Sequence, residues 1–306
     1  MQFGVHAGLQ NTTTAELQSL WRRIEDHGFG WISVWDHFYA ADTSIRGDGP
    51  LTSGFHCLEA LTTHTALALG TEKVRCGSLV YCAGYRHPAV LANSMATLDQ
   101  LSGGRTVLGL GAGWHQGEYD AYGIPFPPIG ERMRILEEAL QCVRMLTTDD
   151  VANFEGEHFR LTEARCEPKP VQPRFPIWVG GGGEKVTLRI TAQHADGWNL
   201  AFVTPDVFRR KNEVLNGHCD TLGRDGTEIE RTVNVALAWK EDDLVRQFGG
   251  AAEYIGSTAL KGSTQQVIDQ VAAYHDAGAE TVIVALRAPF DCDGLDRFAE
   301  EVLPAF

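Results

Sequence analysis

The 306-residue chain contains no apolar run near the roughly 20 residues that span a bilayer, which leaves no candidate for a transmembrane helix. Its opening, MQFGVHAGLQ, lacks the basic-then-apolar order of a secretory signal. Cysteine is present but unorganised: seven residues, an odd number, with no Cys-x-x-Cys. Free, mostly buried thiols in a reducing cytoplasm are the expectation. Positive charge is scarce. Lys and Arg number 26 against 40 Asp and Glu, a net charge of −14. Such a surface repels nucleic acid and anionic lipid, so neither is expected as a partner. There is no H-E-x-x-H and no His/carboxylate pairing at metal-ligand spacing, so no metal is expected. The nucleophile elbow G-x-S-x-G of common hydrolases is absent, as is the Walker A string.

What is present is an ordinary globular composition, 43% apolar and 22% charged, laid out in a regular alternation. Eight short apolar runs read as strands: Gln2–Ala7, Trp31–Trp35, Val74–Tyr81, Arg105–Gly111, Ile177–Gly180, Gly197–Phe202, Thr232–Trp239 and Thr281–Arg287. Most are continuous rather than alternating, the pattern of parallel strands covered on both faces. Eight helical segments complete the alternation, among them Thr14–His27 with its stop at Gly28, Pro88–Leu101, Glu131–Leu146, Glu184–Gln193 and Pro205–Leu222. This predicts an α/β fold, a (β/α)8 TIM barrel forming a single domain over residues 1–306, with a doubly wound open sheet as the alternative. Insertions are expected after strands 4 and 7. Trp114–Gly130 reads as a Pro/Gly-rich loop, Thr147–Phe175 carries a hairpin over Ala152–Leu161, and Asp242–Gly262 reads as part-helical. The loops Tyr39–Phe55 and Trp114–Gly130 are expected to shape the pocket.

In a barrel, function collects where strands end. The second strand ends in Asp36-His37. A carboxylate beside an imidazole can orient it and support proton transfer near neutral pH; the plainer reading makes Asp36 a cap and His37 a satisfied polar residue. The fourth strand ends in Gly109-Leu-Gly111-Ala112-Gly113, then Trp114. These glycines either let a ligand approach the backbone or serve a tight turn, and Trp114 breaks the dinucleotide fingerprint G-x-G-x-x-G. The fifth strand runs into Gly180, Gly181, Gly182 and Gly183, then Glu184 and Lys185 ahead of a helix. Four glycines before a helix start suggest an anion-binding nest, with Lys185 and Arg189 adding positive charge. His6, at the end of the first strand, is placed to line the pocket. Trp114 and Trp198 are placed to contact a planar ligand or substrate.

These strings together resemble one family. Leu91–Gly113, LANSMATLDQLSGGRTVLGLGAG, follows Arg86-His87-Pro88. With it come Asp36-His37, Ile124-Pro-Phe-Pro127, Ile177–Leu188, Ala195–Asn199 and Gly278-Ala279. The set is similar to the luciferase-like monooxygenase superfamily over nearly the whole chain, and most of all to the branch that uses the deazaflavin coenzyme F420. The resemblance implies an oxidoreductase moving a hydride between F420, held at the C-terminal face of the barrel, and a small organic substrate. FMN is the alternative cofactor, with an FMN-dependent monooxygenase or a non-catalytic flavin-binding barrel as the other readings. A non-proline cis peptide is implied in a bulge after the third strand, at Ser78-Leu79 by its position relative to Arg86-His87-Pro88. The anionic cofactor tail is implied to run to Gly111–Gly113 and the Gly180–Lys185 nest. Asp36 and His37 would lie beside the reactive carbon, with His37 as the catalytic group. A homodimer is implied as well. One position departs from the pattern. The sugar-phosphate branch carries an acid/base Glu directly after its Gly-x-Gly turn, where this chain has Trp114, so sugar-phosphate oxidation by that route is not expected. Glu118, a little further on, is assigned no role.

Overall fold

Eight parallel strands close on themselves: Gln2–Ala7 (β1), Trp31–Val34 (β2), Arg75–Ser78 (β3), Thr106–Gly111 (β4), Ile177–Gly180 (β5), Gly197–Ala201 (β6), Glu230–Ala238 (β7) and Thr281–Leu286 (β8). Each pairs with the next, and β8 pairs with β1 from Gln2↔Thr281 to Ala7↔Leu286, which makes the sheet a barrel rather than an open sheet. The computed structural model describes residues 1–40, 56–240 and 242–306, so most of the Tyr39–Phe55 loop lies outside the described residues.

The helices follow from local signals. Thr14–Asp26 opens on a capping box, with the Thr13 hydroxyl accepting from the Glu16 N–H and the Glu16 carboxylate accepting from Thr13. Its buried residues Leu17, Leu20, Trp21 and Ile24 share one face at helical spacing. Pro88–Ser102 starts with Pro in its first turn and stops at Gly103, which is left-handed at φ 69°. The insertion after β4 does contain a hairpin, Ala152–Glu155 against Arg160–Ala164. The segment Trp114–Gly130, expected as loop, holds a helix over Gln116–Tyr122 that ends at Gly123, φ 65°. A helix this short, with three prolines soon after it, gives too few turns for a periodic signal. After β7, a part-helical insertion leads to a short strand, Leu260–Lys261, beside β7.

Side chains inside the barrel decide which end is open. Trp31 and Trp178 stack in its lower half with centroids 4.5 Å apart, packed with Val107 and Ile283. Arg75 lies against both indoles and pairs with Glu230 at 3.0 Å, closing that end. Glycines make room for the plug: a Cβ on Gly77 would stand 2.3 Å from Trp31, and one on Gly197 2.3 Å from the Trp178 indole nitrogen. Above the plug is a polar layer. His6 Nδ1 meets Ser33 Oγ at 2.9 Å, and Asn199 donates to Thr232 and Asn234.

β3 ends in a bulge whose cis peptide is Leu79-Val80, not Ser78-Leu79. Ser78 is still in the ladder and donates its hydroxyl to the Gly109 carbonyl, and the Leu79 N–H still donates to Val34, so the break falls one residue later. Tyr81–Cys82 then rejoins the sheet beside β4. The bulge pushes Val80 against the glycines at the ends of β4 and β5. A Cβ on Gly111 would stand 2.7 Å from Val80 Cγ2, and one on Gly180 2.8 Å from Val80 Cγ1. Gly180→Ala is therefore expected to destabilise the fold by about 1–3 kcal/mol through overpacking, read from urea unfolding. Val80→Ala in the same chain should recover part of the loss, and a double variant no more stable than Gly180→Ala alone would place the strain elsewhere.

Candidate functional site

The open end is the C-terminal end, where β2, the bulge and β4 converge. Asp36 and His37 leave β2 there, and the structure separates their roles. The buried Asp36 carboxylate accepts both guanidinium nitrogens of Arg86, at 2.6 and 3.0 Å, and the Cys82 N–H at 2.9 Å. Burial pushes its pKa up, and the Arg86 charge and these hydrogen bonds offset part of that rise. Asp36 thus clamps the end of β2 to the segment after the bulge, and the pairing read from the sequence does not form.

The carboxylate that holds His37 is Glu118, on the short helix. His37 Nδ1 lies 2.9 Å from Glu118 Oε2. The same carboxylate accepts the Phe38 N–H at 2.7 Å, the Tyr39 N–H at 3.0 Å and the Tyr85 hydroxyl at 2.9 Å. Its side chain is fully buried. Burial alone would raise its pKa; the hydrogen bond and charge of His37, with those from Tyr39 and Tyr85, outweigh this and hold the carboxyl below its ordinary value. Glu118 is the residue that sequence reasoning passed over. The only signal was an acidic residue in the first turn of a helix that was itself not foreseen.

Around His37 the walls are aromatic. Trp35 and Trp114 stand edge-on to its ring at 5.3 and 5.5 Å, and His115 lies 6.0 Å away. A cavity of about 140 Å³ sits between Trp35, His37, Leu79, Val80, Trp114 and His115. Trp114 is 42% exposed at its rim. His115 is buried, with no partner for Nδ1 among the described residues, and burial holds its pKa low. His6 is buried one layer below; burial, the Arg287 charge and His37 bring its pKa to about 3, so it stays neutral. Ser78 is spent on the Gly109 carbonyl, while Leu79 reaches the cavity.

Several expected contacts fall elsewhere. Trp198 is not at the mouth: its indole is fully buried, stacks on Phe208 at 5.2 Å and donates to the Gly181 carbonyl at 2.8 Å. Gly111 and Gly180 make room for Val80, as described above, and Ala112 packs on the core and lines a cavity of about 390 Å³ with Tyr85, Arg86, Tyr119 and Phe159. Gly113 serves Tyr119, whose hydroxyl would lie 2.2 Å from a Cβ there and meets Cys82 Sγ at 2.7 Å. The glycine run after β5 also has internal reasons. Gly181 sits at φ 119° and donates its N–H to the Asn199 carbonyl. A Cβ on Gly182 would meet Leu200, and one on Gly183 the Thr187 hydroxyl.

The helix expected from Glu184 begins at Thr187, and among the described residues no side chain caps it. Glu184 and Lys185 therefore form a turn ahead of it rather than its first turn. Arg189 is held in a two-pronged pair with Glu137, both contacts at 2.8 Å. Lys185 is exposed and has no ion-pair partner among the described residues. It lines a groove of about 700 Å³ with Arg134, Gly182, Gly183, Glu184 and Lys211. Among the described residues, no group of three or more His, Cys, Asp or Glu is placed to hold a metal ion, and no helix is long and apolar enough to cross a membrane.

Known proteins carry the same architecture. The F420-dependent secondary alcohol dehydrogenase solved with an F420-acetone adduct superposes with a TM-score of 0.85 at 20% identity, covering 99% of this chain and 98% of that one. The F420-dependent glucose-6-phosphate dehydrogenase of Kineococcus radiotolerans is 29% identical over 249 residues, 79% of this chain and 69% of that protein. The FMNH(2)-dependent dimethylsulfone monooxygenase of Pseudomonas putida is 27% identical over 276 residues, 80% of this chain and 75% of its own. The sequence profile described as "Luciferase-like monooxygenase" matches residues 1–247. A barrel open at its C-terminal end, a bulge after β3 and a match over most of its length establish that this chain belongs to the luciferase-like monooxygenase family.

Proposed function

We propose that the protein is an oxidoreductase that moves a hydride between coenzyme F420 and a small organic substrate at the mouth of the barrel. The observation that carries this reading is the His37–Glu118 pair beside the Leu79-Val80 bulge. The site fits the cofactor in two respects. The cavity beside His37 offers the apolar faces of Leu79 and Val80 and the indole of Trp114 to a planar ring. The groove beyond Gly182 offers Lys185, without an ion-pair partner among the described residues, to an anionic tail in a chain of net charge −14. The F420-dependent relatives support the choice of cofactor.

Bound there, F420 supplies a ring carbon that takes up or gives back a hydride. The protein supplies position and a proton site. An ionised Glu118 only accepts, so Nδ1 of His37 carries the hydrogen between them, and Nε2, turned from Glu118, is the nitrogen that can exchange a proton with a substrate. Nε2 takes the proton from a substrate hydroxyl in the oxidising direction and returns it to the oxygen in the reducing one. Glu118 stabilises the imidazolium formed in between. His6, held neutral, keeps positive charge away from this step. Trp114 in the place of the acid/base Glu makes a sugar phosphate a poor substrate by that branch's route.

Assembly as a homodimer belongs to the same proposal and is supported by Leu69 and Val90, apolar and each 62% exposed. A cytoplasmic setting does too, supported by seven free thiols. Titration of F420 and FMN into purified protein, followed by fluorescence, tests the cofactor. F420 is expected to bind more tightly, and a clear preference for FMN would replace hydride transfer by oxygen chemistry. Lys185→Glu should weaken F420 binding by about 1–3 kcal/mol at low salt and leave the urea midpoint unchanged. Unaltered affinity would put the tail elsewhere.

A further inference from the structure

The cations that face the groove beyond Gly182 differ in what holds them. Arg189 is tied to Glu137. Arg134 meets Glu157 at 3.1 Å where both side chains are more than half exposed. Lys211, on the helix Pro205–Leu222, is better buried. Its stem lies over Gly182, where a Cβ would come within 3.8 Å of Lys211 Cε. Its side chain is 17% exposed, and its ammonium donates to Glu184 Oε1 at 2.8 Å. Arg210 approaches the same oxygen at 3.6 Å. Glu184 itself is anchored through its backbone, because its carbonyl pairs with His218 Nε2 at 2.8 Å, while its side chain is 42% exposed. A well-placed cation on the groove wall is thus covered by a carboxylate of the chain that stands on the solvent side of it. To that ammonium, a phosphate or carboxylate arriving along the groove offers the same chemistry as Glu184. Ion pairs with one well-solvated partner are weak, so exchanging one anion for the other is not prohibitive.

We propose that Glu184 is an internal stand-in for a ligand anion, and that an anionic cofactor tail takes Lys211 over from it. The pair then sets how strongly the groove favours a cofactor by the negative charge of its tail. A tail with one charge gains little over Glu184, whereas a tail with several charges engages Lys211 and Lys185 together. This rests on the F420 reading, and the test separates the two.

The experiment titrates F420 and its tail-less parent, the 8-hydroxy-5-deazaflavin riboside, into wild type, Lys211→Met, Glu184→Gln and the double variant, at low and high salt. Lys211→Met should weaken F420 about ten- to a hundredfold and leave the riboside unchanged. Glu184→Gln should tighten F420 about two- to fivefold at low salt, and that gain should vanish in the double variant. Weaker F420 binding by Glu184→Gln would mean that Glu184 orients Lys211 instead of competing for it, and would overturn the proposal. Equal losses for F420 and the riboside in Lys211→Met would also overturn it, as a general structural effect. Wild type that binds the riboside, with an F420 affinity that responds to neither substitution, sinks the exchange alone. Wild type that binds neither compound sinks the F420 reading, and the exchange with it.

Discussion

Glu118→Ala is expected to cost about 3–5 kcal/mol of folding stability, measured by urea unfolding of the purified variant. The size follows from what the carboxylate accepts. Four donors converge on it: His37 Nδ1, the Phe38 and Tyr39 N–H groups and the Tyr85 hydroxyl. Each buried group left without a partner costs about 1–3 kcal/mol, and relaxation with water entry offsets part of the sum. Glu118→Gln keeps an acceptor and most of the shape, so its loss should be much smaller. The pH dependence separates the two variants further. Folding lowers the Glu118 pKa from the ordinary 4.5, so the stability this group contributes is complete above that value. It is lost as the pH falls through the lower folded value. Acid unfolding below about pH 4.5 should therefore be less steep in Glu118→Gln than in wild type. Glu118→Ala with wild-type stability would show that the loop Phe38–Tyr39 finds other acceptors.

His37→Ala is expected to slow hydride transfer by about 10²–10³-fold while leaving cofactor affinity nearly intact. The ring is fixed on three sides, by Glu118 through Nδ1 and by the edges of Trp35 and Trp114. Its removal deletes the proton site but none of the groove contacts around Lys185. Single-turnover reduction or oxidation of bound cofactor with an accepted substrate gives the rate. Normal turnover from pH 5 to 9 would make His37 a spectator and leave catalysis to ring positioning. Glu118→Gln offers an independent check. An amide cannot stabilise an imidazolium as a carboxylate does, so this variant should lose rate in proportion to how much positive charge His37 carries in the transition state.

Much of this molecule is legible along its chain. Continuous apolar strands, helices with clear caps and stops, and their strict alternation indicate a parallel α/β barrel, because hydrophobic period and capping act over a few neighbouring residues. Strand ends point to the C-terminal face, where Asp36 and His37 leave β2. The partners of particular residues are less legible. Glycines that could admit a ligand also make room for Val80, Tyr119 and Leu200. A missing Cβ is the same letter whether a ligand or another part of the chain fills the space.

What the sequence determined by itself was the eight barrel strands, their order and the excess of acidic charge. Which residues meet was decided only by tertiary structure. Asp36 and His37 are neighbours in the chain, yet Asp36 turns to Arg86, 50 residues away, and His37 to Glu118, 81 residues away. Both carboxylates are buried, and a buried charge must find its donors wherever the fold brings them. The barrel brings β2, the bulge after β3 and the short helix after β4 to one rim, and that closure, not sequence proximity, chose the partner of the imidazole.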